Sequence, residues 1–235
     1  MKRAMSKTAM IEFIPGRIWI AEIPLRFFGL PMGTRMTVIK LAAGGLFVHS
    51  PVPPDDAFHD LVVREGPVRF VVAPNRLHHL YLTPFMDAFP DAELWIVKEL
   101  KKKRSDLEPA GILGDAPEPG WAEEIDQCLF RGSLFQEEAV FLDRASGTLI
   151  VVDLLESVHR SDAWYYRFFG RLAGTYERPT LTRDQRLAFR DRAAARASAE
   201  RILGWEFERI VLAHGRLIER NGKAVFADAM RWLTR

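Results

Sequence analysis

The chain has 235 residues, 48% of them hydrophobic and 27% charged, with a formal net charge of +2. That composition is globular rather than disordered, and near-neutrality removes any global demand for an anionic polymer as partner. One cysteine, Cys128, excludes an internal disulfide and a thiolate-anchored zinc site, and it fits a reducing compartment.

No apolar run reaches the roughly 18 residues that a membrane span needs. Lys2, Arg3 and Lys7 open the chain, but residues 11–20 are broken by Glu12, Pro15, Gly16 and Arg17, which argues against a secretory signal. The expectation is a cytoplasmic protein without a membrane segment. Residues 1–10 read as a flexible tail, with Met5 and Met10 as alternative starts, and residues 11–235 as a single domain.

Residues 17–23 (R-I-W-I-A-E-I) and 36–41 (M-T-V-I-K-L) have the β-branched, partly alternating pattern of half-buried strands. Gly44-Gly45 then turns the chain into a return strand, L-F-V-H at 46–49. Pro51, Pro53 and Pro54 stop it, Asp55 is placed to cap, and residues 57–64 have helical spacing. A buried strand follows at 68–73 (V-R-F-V-V-A), a short helix at 80–88 and a strand at 93–97 (E-L-W-I-V). This strand–helix–strand alternation predicts parallel crossover units.

Residues 99–119, with a Lys-Lys-Lys-Arg run and then Pro109, Gly111, Gly114, Pro117 and Pro119, read as a surface excursion. Residues 139–142 and 148–153 (T-L-I-V-V-D) form a second ribbon around a turn at 144–147. An aromatic, Arg-rich stretch at 159–179 has no strict period. It reads as core under a loop, a wall over the site, or a partner surface. Thr182 with Gln185 is a capping box that starts a helix running to Leu203, with an apolar stripe of Leu187, Ala194, Ala197 and Ile202. A last core strand at 209–213 (R-I-V-L-A) ends at His214-Gly215, and a helix over 224–233 follows.

Three apolar runs therefore end in polar residues: P-N-R-L-H-H after the strand at 68–73, Asp153 after the ribbon, and His214 after the last strand. In open α/β sheets, groups beyond the carboxyl ends of strands gather along one edge and form the usual crevice. Imidazoles and a carboxylate from three strand ends make a donor set for zinc, iron or manganese. The bland reading of each histidine alone is a satisfied strand-end or solvent-facing residue. His49 fits the first description and His59 the second, while His159 reads as a loop residue at the rim of the crevice.

The succession resembles the metallo-β-lactamase superfamily, and within it a domain-of-unknown-function branch with an eroded metal motif. The resemblance spans residues 11–233 and rests on L-F-V-H-S-P (46–51), A-P-N-R-L-H-H (73–79), T-L-I-V-V-D (148–153) and A-H-G-R (213–216). It implies a four-layer αββα sandwich with a metal site on one sheet edge. The departures are specific. His49-Ser50-Pro51 stands where the superfamily has its first aspartate, and the His-x-His-x-Asp-His stretch is reduced to Asn75-x-x-His78-His79. Asp143 falls where a ribbon histidine is usual, whereas Asp153 and His214 match.

The resemblance thus leaves His78, His79, Asp153 and His214 as metal ligands, with His49, Asn75 and Asp143 as extra ligands or orienting partners. A centre of this kind is at most mononuclear. It would leave a position for a water, whose pKa can fall to about 7 on a metal, and so suits hydrolysis of an ester, thioester or amide of a small molecule. The alternative is a non-catalytic ligand-binding or interaction protein that holds no metal. Nucleic acid is a poor partner for a nearly neutral chain despite Lys101–Arg104, and the aromatic stretch offers a surface for a homodimer.

Overall fold

A computed structural model describes residues 10–135 and 137–234. The expected tail lies outside these residues except for Met10, which opens the first strand. In chain order the strands are β1 (Met10–Ile14), β2 (Ile18–Ile23), β3 (Arg26–Phe27), β4 (Leu30–Pro31), β5 (Thr34–Lys40), β6 (Leu46–His49), β7 (Val68–Ala73), β8 (Glu93–Ile96), β9 (Gly111–Ile112), β10 (Ile125–Phe130), β11 (Glu138–Asp143), β12 (Thr148–Ile150) and β13 (Arg209–Val211). The helices are α1 (Asp56–Glu65), α2 (Leu82–Ala88), α3 (Lys98–Lys103), α4 (Trp164–Ala173), α5 (Arg183–Leu187), α6 (Arg192–Leu203) and α7 (Gly222–Thr234).

One sheet runs β1-β2-β5-β6-β7-β8-β9, a second runs β10-β11-β12-β13, and β3-β4 is a separate ribbon. The first sheet is antiparallel from β1 to β6 and parallel from β6 to β9, as the strand–helix alternation requires. In the second sheet β10, β11 and β12 are antiparallel, while β13 adds to β12 in parallel.

Side-chain alternation along the second sheet explains the layering. Ile125, Leu129, Ala139, Phe141, Ile150 and Val211 belong to the cluster that includes the first sheet with α1, α2 and α3. Their neighbours Cys128, Val140, Leu142, Leu149, Ile210 and Leu212 belong to the cluster that takes in α6 and α7. Both faces of this sheet are thus covered, and the layers are helix, sheet, sheet, helix: the expected αββα sandwich.

Local chemistry sets the element ends. Asp55 caps α1 by accepting from the Phe58 amide at 3.0 Å. Thr182 and Gln185 form the predicted capping box, but the helix they start stops at Leu187. A second helix begins only at Arg192, capped by Asp191, whose side chain accepts from the Ala194 amide. Phe189 turns inward between them, and the Asp191 amide donates to the Gly132 carbonyl. The predicted stripe changes accordingly. Leu187 is exposed, and α6 buries Ala195, Ser198, Ala199 and Ile202. The aromatic stretch contains α4, which exposes Trp164, Phe168, Phe169 and Leu172 and buries Tyr166 and Gly170. No described helix is long and apolar enough to cross a membrane.

Candidate metal centre

The carboxyl ends of β7, β12 and β13 meet at one edge of the sandwich. The turn after β7 is built by Asn75, which is fully buried and whose Oδ1 accepts from the amides of Leu77 and His78 at 2.8 and 3.1 Å. This turn aims His78 at the crevice. Asn75 Nδ2 donates to Asp153 Oδ2 at 2.7 Å, so a single amide side chain orients two of the candidate ligands.

Asp153 follows β12 and is itself held from behind. Glu138, the first residue of β11, accepts the amides of Val152, Asp153 and Leu154 at 2.8, 2.8 and 3.0 Å. Three donors on one buried carboxylate fix the backbone that presents Asp153. Burial and the neighbouring Asp153 charge raise the Glu138 pKa above the usual carboxylate range, against the pull of the three amides.

His78, Asp153 and His214 each offer a ligand atom, and these atoms lie within 4.8 Å of one another. His78 Nε2 is 3.4 Å and His214 Nε2 3.3 Å from the same oxygen, Asp153 Oδ1. The far side of each ring is engaged elsewhere. His78 Nδ1 sits 2.6 Å from Ser50 Oγ, and His214 Nδ1 sits 2.9 Å from the Gly33 carbonyl oxygen. Since a carbonyl only accepts, His214 Nδ1 carries the hydrogen, which leaves Nε2 to face Asp153. Burial opposes ionisation of both partners, but the paired charges outweigh it. His214 is raised by Asp153 and Glu156, and Asp153 is held well below the usual range by His78 and His214.

The three groups open on a cavity of about 240 Å³, which Leu25, Phe27, Met32, Leu77 and Leu80 also line. The donor set fits a borderline divalent ion. It has two imidazole nitrogens and one carboxylate oxygen, each backed by an outer hydrogen-bond partner, with free space on the fourth side.

Three of the sequence-derived candidates lie elsewhere. His79 turns away, its Nδ1 accepting from Arg104 Nη1 at 3.3 Å. Burial and the cations Lys103 and Arg104 lower its pKa to about 4. His79 lines the cavity but is not in the donor cluster. Asp143 sits at the opposite end of the sheet because β11 runs antiparallel to β12, and its ion pair with Arg17 closes at 2.6 Å. His49 points into apolar packing against Phe141, with ring centroids 5.4 Å apart, and neither ring nitrogen has a hydrogen-bond partner. Ser50 and Glu138 were missed. The acid that opens E-A-V-F-L-D was the available signal, because antiparallel pairing puts it, and not Asp143, beside Asp153.

This arrangement of layers and strand-end donors is a metallo-β-lactamase fold, and comparison with solved structures bears that out. A metallo-β-lactamase from Pontibacter korlensis superposes with a TM-score of 0.65, covering 97% of this chain and 100% of that one at 8% identity. A metallo-β-lactamase from Erythrobacter litoralis, with β-mercaptoethanol in its active site, gives 0.65 at 14% identity over 97% of both chains. FIM-1 from Pseudomonas aeruginosa in its mono-zinc form gives 0.65 at 10% identity, again over 97% of both. At such identities the likeness establishes the fold. The chain belongs to the family described as domain of unknown function DUF4336, whose profile matches residues 15–166. No curated protein matches the sequence.

Proposed function

We propose that this protein is a metal-dependent hydrolase with a mononuclear centre, acting on an ester, thioester or amide bond of a small molecule. The observation that carries this reading is the orientation of the two imidazoles. Ser50 and Gly33 engage their Nδ1 atoms, so both Nε2 atoms converge on Asp153 Oδ1 at the floor of a cavity. His78, Asp153 and His214 would hold the ion. When bound, it would supply a Lewis acid and an acidified water, the two things such a hydrolysis needs. Asn75 and Glu138 would keep the carboxylate in place, and the apolar walls would limit competing solvent.

The test is metal content of protein purified without chelators, beside His214→Ala. The expected result is about one zinc, iron or manganese per chain, lost in the variant. Wild-type protein that stays metal-free, and whose melting temperature does not respond to added zinc, would overturn the reading. A second reading is a metal-free binding protein on the same cavity. It is favoured by the approach of His214 Nε2 to Asp153 Oδ1 at 3.3 Å, which gives the carboxylate a partner without an ion. That same melting experiment separates the two.

A further inference from the structure

Beside the cavity at the candidate centre lies a second one, about 470 Å³ in volume. Phe27, Met32, Glu156 and Gln185 line both. One wall of the second cavity is the β3-β4 ribbon, through Phe27, Leu30 and Met32. The other is α4, through Phe169, Leu172 and Ala173. Helix α4 lies close because Gly170 leaves room for Val158. A Cβ on Gly170 would come within 2.7 Å of the Val158 Cβ. These two walls are apolar and yet open to solvent, with Phe27 46%, Phe169 48% and Leu172 57% exposed, while Glu156, Arg183, Asp184 and Gln185 supply a polar end.

Such exposure is costly for a free surface and is ordinary for a ligand groove, and the volume of this second cavity falls within the range of small-molecule sites. The groove shares four lining residues with the cavity at the candidate centre, so one extended molecule can reach from the groove to His78, Asp153 and His214. We infer that the substrate is an amphiphile whose straight alkyl chain lies between α4 and the β3-β4 ribbon, with its ester or thioester carbonyl at His78, Asp153 and His214. This rests on the hydrolase reading. The overall reaction adds water across the acyl carbon–oxygen or carbon–sulfur bond, releasing the fatty acid and the alcohol or thiol.

The experiment uses straight-chain methyl ketones of six to ten carbons, which carry a carbonyl but cannot be hydrolysed. Their binding is measured by calorimetry on the full chain, with zinc content followed in parallel. Burial of each added methylene should tighten binding about three- to fourfold. Ala173→Trp, which fills the groove from a half-buried position, should flatten that slope and leave zinc content unchanged. Val63→Asp, 87% exposed on α1 and outside both cavities, is the control and should keep the slope.

A flat series in the wild type, or a slope that survives in Ala173→Trp, overturns the alkyl groove even if zinc binds. A clear slope that Ala173→Trp abolishes, in protein that takes no zinc, keeps the groove and sinks the hydrolase reading. Sedimentation velocity on the same samples tests the other occupant. A dimer that Ala173→Trp dissociates, without a ketone slope, gives this face to a second copy and overturns the proposal.

Discussion

His49 illustrates how one buried residue sets acid sensitivity. Burial first, and the nearby His78 second, lower its pKa to about 3 from the usual 6.5. The unfolded chain therefore takes up a proton below pH ~6.5 that the native state refuses until pH ~3. Stability from this residue is present above pH ~6.5 and falls by about 1.4 kcal/mol per unit as pH drops. His49→Leu removes that dependence and two buried nitrogens without partners. In urea titrations the variant should lose about 2 kcal/mol less than wild type between pH 7 and pH 5. Equal losses would mean that the imidazole takes up its proton inside the fold. Pattern alone marks His49 as a strand-end histidine, and it is the family resemblance that ranks His78 above it as a ligand. What distinguishes them is the Asn75 turn, which carries His78 past the strand end, whereas His49 is still inside β6.

At the level of the elements, β11 carries acids at both ends with different duties. Glu138 anchors the turn that presents Asp153, so Glu138→Gln should weaken zinc binding about 10- to 100-fold while the fold persists. An unchanged zinc affinity would assign Glu138 to stability alone. Asp143 accepts from Arg17 and from Ser146 at the far end. Asp143→Ala should therefore cost about 3 kcal/mol of stability in denaturant titrations and leave zinc affinity alone. Zinc loss there would revive Asp143 as a ligand.

Elements were legible where pattern and packing agree. The strands at 46–49 and 68–73 coincide with β6 and β7 because their side chains are buried almost throughout. Strand β10 has no strand signature in the sequence because Asp126 and Gln127 interrupt its apolar run. Gln127 is nonetheless buried and donates to the carbonyls of Gly114 and Ala116. Helix α4 is amphipathic, but its period is hidden in the sequence because W-Y-Y-R-F-F-G-R-L-A also places Trp164, Phe168 and Phe169 on the side it exposes. The metal motif was legible in Asp153 and His214, which sit directly at strand ends. The choice between His78 and His79 depended on a turn that spacing alone does not specify.

For the molecule as a whole, the two sheets are tied across the site by Arg35. It is 5% exposed, lies on β5 and donates to the carbonyls of Leu212 and Gly215, on either side of His214, as well as to Glu22. Arg35→Met should lower stability by about 3 kcal/mol and reduce zinc affinity as well, because His214 loses its frame. A variant that melts lower but binds zinc as tightly as wild type would limit Arg35 to holding the sheets together.

The hydrogen bond from His214 to the Gly33 carbonyl joins positions 181 residues apart. It has a consequence for the order in which the protein is made. A zinc finger gathers its donors from a short stretch, so the ion can organise the chain as it emerges. Here the last donor is synthesised long after the carbonyl that orients it, and the donor set is complete only once β13 has docked on β12. An ion bound by His78, Asp153 and His214 would therefore enter a site that folding has already built. Its loading would then follow synthesis, and the rate would be set by access through the cavity rather than by folding.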